Sequence, residues 1–100
     1  MSKKFYMKKY VTSSKTLVAI CDEEILGMVF REGDLVLDVS RSFYQGDLVD
    51  AEEALEEIRL AELAVLTGKR IVTLAIEAGL VHREAVLNIR GQLHAQIMRW

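Results

Sequence analysis

The segment "NIRGQLHAQIMRW", Asn88 to Trp100, sets four hydrogen-bonding side chains, Asn88, Arg90, His94 and Gln96, into an otherwise apolar run. These residue types carry flat donor and acceptor groups of the kind that match bases and phosphates. If Gly91-Gln92-Leu93 is a three-residue hairpin loop, Arg90 pairs with His94, Ile89 with Ala95, Asn88 with Gln96 and Leu87 with Ile97. Cross-strand partners share a face. The apolar pairs then make one face, and the four polar residues form one contiguous patch continued by Val86 and Met98. A two-residue loop that sets Ile89 beside His94 mixes the faces, so register favours the longer loop. The patch is either a binding face or the solvated side of an antiparallel hairpin.

Other chemistry is thinner. Cys21 and His94 could pair as nucleophile and base, but Cys21 ends an apolar strand beside Asp22, Glu23 and Glu24. Neighbouring anions raise a thiol pKa, which favours a buried structural cysteine. His82, His94 and Cys21 lack metal-ligand spacing. Asp22-Glu23-Glu24 could hold a hard cation, yet three acids opening a helical turn are explained by the helix dipole. No phosphate loop, dinucleotide fingerprint or nucleophile elbow occurs, and no cofactor or metal is expected. Phe43-Tyr44 offers a stacking platform, or else a hydrophobic anchor for its loop. Lys3, Lys4, Lys8 and Lys9 flank Phe5, Tyr6 and Tyr10, a mixture of charge and aromatics that suits nucleic acid or a soluble terminus.

The net charge of −2 hides a segregation: +5 over residues 1–21, −10 over residues 22–62 and +3 over residues 63–100. If the basic ends meet in one sheet, they make a basic face that the overall balance conceals. One hundred residues, 51% hydrophobic and 28% charged, suit one globular domain with its own core. The apolar runs are too short to span a bilayer, so no membrane partner is expected. "MSKKFYMKKY" has no apolar core of a signal peptide. A single cysteine fits a reducing, cytoplasmic setting.

The elements that would position these groups follow from periodicity and turn residues. Phe5–Val11 and Thr16–Cys21 read as strands joined by "TSSK", with "LVAIC" a central strand covered on both faces. "DEEILG" reads as one helical turn capped by Asp22 and stopped by Gly27. Met28–Arg31 and Leu35–Val39 form a strand pair around "EGD", with Leu35, Leu37 and Val39 inward. "RSFYQGD" is the longest loop. Asp50 and Glu53 then open a helix from Ala51 to about Leu66, with Ala54, Leu55, Ile58, Ala61 and Val65 on one stripe. A second helix spans about Lys69 to Ala78 and stops at Gly79. Ala85–Arg90 and His94–Arg99 close the chain as strands. The expected fold is a single α+β domain over residues 1–100, an antiparallel or mixed sheet packed against two main helices.

The stretches "ICDEEILGMVFREGDLVLDV", "FYQGDLVD", "AIEAGLV" and "NIRGQLHAQI" together resemble a family of small archaeal proteins, the domain-of-unknown-function family numbered four hundred and twenty-four. The resemblance runs from about Tyr6 to Gln96. Its motif positions here are Cys21, Asp22, Glu23, Gly27, Phe43, Tyr44, Gly46, Gly91, His94 and Gln96. Leu93 stands where the family often has proline. The resemblance implies no known activity; through an association of family members with translation genes, it implies work on RNA or the ribosome. The resulting expectation is a non-enzymatic, translation-associated module that binds RNA or a ribosomal subunit through Lys4, Lys8, Lys9, Tyr44, Asn88, Arg90, His94 and Gln96. The alternatives are a small-molecule or enzymatic pocket built from Asp22, Glu23 and His94, and a protein-only adaptor presenting the acidic helix.

Overall fold

A computed structural model describes residues 4–99, so Lys3, counted in the basic N-terminal segment, lies outside the described residues. Strands β1 (Phe5–Val11) and β2 (Thr16–Asp22) form the expected antiparallel hairpin. A 3-10 turn at Glu23–Ile25 leads into a separate hairpin of β3 (Val29–Glu32) and β4 (Leu35–Asp38). The "RSFYQGD" segment is not a plain loop. It contains a short helix α1 (Arg41–Tyr44) and an edge strand β5 (Asp47–Val49) that pairs with β1. Helix α2 (Ala51–Leu60), strand β6 (Leu63–Thr67) and helix α3 (Lys69–Glu77) follow, and β7 (Leu87–Ile89) and β8 (Gln92–Met98) end the chain.

The main sheet is mixed, with order β5-β1-β2-β6-β8-β7, and its parallel step joins β2 to β6. On one face, Phe5, Met7, Val18, Ile20, Ala64, Leu66, Ala95 and Ile97 pack against Ala54 and Ile58 of α2 and Ile71, Val72 and Ala75 of α3. The other face carries a second core, in which Ala19, Cys21 and Ile89 meet Ile25, Leu37, Val39 and Tyr44 from the turn, the β3–β4 hairpin and α1. "LVAIC" is therefore covered on both sides, as its unbroken apolar run requires. Of the three residues expected to point inward from β4, Leu37 and Val39 are buried but Leu35 is exposed.

The helix expected to continue to Leu66 ends at Leu60. The residues after it, "LAVLT", form β6 between β2 and β8. Its start is as expected: the Asp50 carboxylate accepts from Glu53 N–H at 2.9 Å. Its end is set by groups distant in sequence. Arg99 Nη1 donates to the carbonyls of Ile58 and Ala61, both at 2.8 Å, satisfying acceptors at the end of the helix. Glu62 and Thr16 then exchange hydrogen bonds, Thr16 N–H to Glu62 Oε1 at 2.9 Å and Glu62 N–H to Thr16 Oγ1 at 3.3 Å, which lays β6 beside β2.

The basic ends do share the sheet, but β2 and β6 separate β1 from β8. Alternation divides the β1 lysines as well. Lys8 pairs with Ala19 on the second face, whereas Lys9 turns to the helical face and binds Glu57 at 3.0 Å. A single basic face does not form.

Candidate functional site

The β7–β8 turn decides which polar residues can act together. Its two central residues are Arg90 and Gly91, with φ of 55° and 86°, and the pairs are Ile89–Gln92, Asn88–Leu93 and Leu87–His94. Positive φ at both positions matches a type I′ hairpin turn, whose usual sequence is Asn-Gly or Asp-Gly. A left-handed arginine costs about 1 kcal/mol. Two hydrogen bonds offset it: Gly91 N–H to Asn88 Oδ1 at 2.9 Å and Arg90 N–H to Glu32 Oε1 at 2.6 Å. The expected three-residue loop is thus replaced by a shorter one, and every residue of β7 changes face relative to β8. Asn88 shares the helical face with Leu93, Arg90 sits in the turn, and His94 and Gln96 remain on the second face beside Leu87. The four-residue patch is divided.

His94 gains a different setting. Its Nδ1 lies 2.9 Å from Thr67 Oγ1, which in turn lies 2.8 Å from Tyr44 Oη. On the outer side, His94 Nε2 lies 3.3 Å from the Gln96 amide nitrogen. A hydrogen-bonded row therefore runs from buried Tyr44 on α1, through buried Thr67 at the end of β6, to His94 and exposed Gln96 on β8. With the Gln96 amide donating to Nε2, the proton on Nδ1 points to Thr67, whose hydroxyl then donates to Tyr44. Burial holds the imidazole below its usual 6.5 and pushes the Tyr44 phenol upward. Both effects keep the row neutral at neutral pH.

Tyr44 is 3% exposed, so the stacking role expected of it does not hold; it is the loop's anchor. Phe43 is half-buried, packed on Tyr10 at 5.5 Å and edge-on to Tyr44 at 4.9 Å between ring centres. Lys8 Nζ donates to the Ser42 carbonyl at 2.9 Å and lies 5.5 Å from the centre of the Tyr10 ring. These contacts fix α1 to β1. They leave Lys8 and Tyr10 on the same face as His94, with β2 and β6 between them.

Asp22 does not cap its own 3-10 turn. It ends β2 on the helical face, where Oδ2 accepts from Arg70 N–H and Oδ1 from Ile71 N–H, both at 2.9 Å, and so caps α3. Gly68 precedes that helix with φ of 129°, and a Cβ there would lie 2.3 Å from the Asp22 carboxyl carbon. Burial pushes the Asp22 carboxyl up, opposed by the two N–H donors and the Arg70 guanidinium. Glu24 pairs with Arg70 Nη2 at 2.6 Å, which holds its carboxyl below the usual range, and Glu23 is exposed. Asp22 and His94 thus belong to opposite faces, and the expected pocket of Asp22, Glu23 and His94 is not assembled. Cys21 is fully buried, and burial with nearby Asp22 and Glu24 pushes its thiol up to about 12. It is structural, as its sequence context suggests.

Around Gln96 the second face is uncovered. A depression of about 250 Å3 is lined by Ala85, Leu87, His94, Ala95 and Gln96. A neighbouring one of about 180 Å3, which shares Gln96, runs over Leu17, Leu63, Val65 and Met98. Leu87 and Met98 are 53% and 60% exposed. Flat polar groups and apolar side chains therefore alternate on one open sheet surface. Among the described residues, no group of three or more His, Cys, Asp or Glu is placed to hold a metal ion.

Several motif positions converge here. Cys21 is opposite Thr67, Thr67 opposite His94, and Tyr44 meets them from α1. Gly46 serves close approach instead, since a Cβ there would lie 2.3 Å from the Met7 carbonyl oxygen. Thr67, the link in the row, was not among the expected site residues. Its signal was a polar residue ending the apolar run "LAVL" directly before Gly68.

The chain belongs to the family described as "Protein of unknown function (DUF424)", whose model matches residues 10–100. No curated protein matches it. The fold is similar to the crystal structure of an uncharacterized conserved protein from Methanopyrus kandleri, with a TM-score of 0.76 at 21% identity, covering 97% of this chain and 94% of that one. No helix among the described residues is long and apolar enough to cross a membrane.

Proposed function

We propose that this member of the family is a non-enzymatic binding module of the cytoplasmic translation apparatus that takes single-stranded RNA on the open part of its second sheet face. The observation that supports this reading is the placement of His94 and Gln96 side by side on an open strand, flanked by Leu17, Leu63, Val65, Leu87 and Met98. Unpaired bases present edges to the exposed Gln96 amide, and flat faces to the imidazole and the apolar side chains. The inner row from Tyr44 and Thr67 fixes the imidazole, so ordering it costs little when a base arrives. Lys8 and Arg90 flank the surface as phosphate contacts.

Binding fits the site better than chemistry because the reactive groups are engaged internally. The Asp22 carboxylate caps α3, Glu24 is paired, and the Cys21 thiol is held neutral. The test is fluorescence anisotropy with short single-stranded RNA, alongside co-sedimentation with ribosomal subunits at rising salt. The paired change His94→Ala and Gln96→Ala should weaken binding about tenfold or more, since stacking and edge contacts contribute roughly 1–3 kcal/mol per base. Replacing exposed Thr73 of α3, on the helical side, should leave affinity unchanged. Full binding by the His94/Gln96 variant, or no binding by the parent protein, would overturn the reading. Salt-resistant capture on ribosomal protein alone would redirect it to a protein partner.

A further inference from the structure

Strand pairing orders the second sheet face into rows that run across the strands. One row is Tyr10, Leu17, Leu63 and Met98, and the next is Lys8, Ala19, Val65 and Gln96. The third is Tyr6, Cys21, Thr67, His94 and Leu87. Partners across strands share a face, so each row is a fixed line of side chains. Cys21 and Thr67 are buried in the third row, which opens at half-buried His94 and exposed Leu87. The second row opens at exposed Gln96, and in the first Leu63 is half-buried and Met98 exposed. Of the lysines expected to contact RNA, only Lys8 ends one of these rows. Lys9 turns to the helical face, and Lys4 precedes β1, its carbonyl accepting from Arg70 of α3.

Gln96 therefore stands between two different seats. On one side is the depression of about 250 Å3 that holds His94 and Leu87, and on the other the one of about 180 Å3 that holds Leu63 and Met98. The first offers the flat face of an imidazole, and the second is floored by flexible or branched aliphatic side chains. Residues on one face of β8 follow each other at about 6.7 Å, roughly twice the 3.4 Å rise of stacked bases. Bases laid face down in these two seats are parted from each other and stack on the protein instead.

We infer that the surface seats two neighbouring bases, one on either side of the Gln96 amide, and so selects uridine-rich over adenosine-rich single strands. This rests on the RNA reading of the same surface. Adenines stack strongly on one another and must give that up on binding, whereas uracils stack weakly and give up little. The Gln96 amide carries both a donor and an acceptor, so it matches the edges of adenine and uracil alike. The preference comes from the parting of the bases.

Fluorescence anisotropy of the full chain with labelled uridine and adenosine hexanucleotides is the test. The uridine strand should bind about fivefold or more tightly, and the gap should narrow on warming as the adenosine strand unstacks. Leu87→Ser and Met98→Ser, both at exposed positions, should each weaken uridine binding about threefold or more while the fold is kept. Equal or tighter binding of the adenosine strand, a gap that does not narrow, or a loss from only one of the two variants would overturn the two-seat account and leave RNA binding standing. Binding of neither strand would overturn the RNA reading as well.

Discussion

Replacing Asp22 by Ala tests the contact that joins the central strand to α3. The carboxylate accepts two hydrogen bonds at 2.9 Å, from the N–H of Arg70 near the surface and from that of Ile71 in the core. An orphaned buried N–H costs about 1–3 kcal/mol, and loss of a helix cap typically costs about 1 kcal/mol. The Arg70 N–H can recover water, and removing a desolvated carboxylate returns part of the loss, so the net cost is about 2 kcal/mol. For a chain of this size that lowers Tm by roughly 8–16 °C. Asp22→Asn keeps one good acceptor and should fall between parent and Ala variant. Gly68→Ala supplies the second half of a cycle, because its Cβ would lie 2.3 Å from the Asp22 carboxyl carbon. That clash vanishes once Asp22 is Ala, so the two changes should cost less together than their sum. Urea unfolding followed by circular dichroism measures all five proteins. An Ala variant within about 1 kcal/mol of the parent, or strictly additive costs, would refute the capping account.

The row of side chains gives a pH dependence of fixed sign. Burial holds folded His94 below 6.5, so the unfolded chain binds the proton first, and stability present at higher pH falls away as pH drops through 6.5. Urea midpoints across that range should show the slope in the parent and lose it in His94→Gln. Tyr44→Phe should cost about 1–2 kcal/mol by removing the hydroxyl from Thr67, and should weaken RNA binding less than the direct His94/Gln96 change, which anisotropy would check. Cys21, buried and pushed up to about 12, should react with a thiol reagent in the native protein at a rate set by unfolding, rising with urea. Ala95→Asp should abolish cooperative unfolding by placing an unpaired charge in the core, whereas exposed Met98→Ser should cost under about 0.5 kcal/mol.

Elements closed by local chemistry were readable in the sequence. The β1–β2 hairpin, the Asp50 start of α2 and the span of α3 follow from turn residues, a cap and glycine stops within a few positions. The α2–β6 boundary was not readable, because Ala61 and Val65 continue a helical stripe and no Gly or Pro interrupts them. What ends the helix is Arg99, from the last segment of the chain, together with the Glu62–Thr16 exchange. An apolar run such as "LAVLT" is ambiguous between buried strand and buried helix until its neighbours are known. Asp22 illustrates the same limit at a site. Beside Glu23 it reads as a local cap, but its partners are 48 and 49 positions away.

Turn chemistry is what divides the polar patch. Arg90 occupies a left-handed position that its own type disfavours, and Glu32, 58 positions earlier, accepts from its N–H to hold it there. Moving the turn by one residue and shortening it turned Asn88 to the helical face, while His94 and Gln96, two apart on one strand, could not be separated by any register. His94 and Gln96 therefore stay together under every pairing. The β3–β4 hairpin that supplies Glu32 also helps cover the second core. Glu32→Ala should accordingly loosen the β7–β8 turn and dull the fixed geometry of His94, weakening RNA binding less than the direct His94/Gln96 change. Faster amide exchange at Arg90 and Gly91, with Tyr44 and Thr67 still protected, is the expected signature. Unchanged exchange at the turn would show that Asn88 holds it unaided.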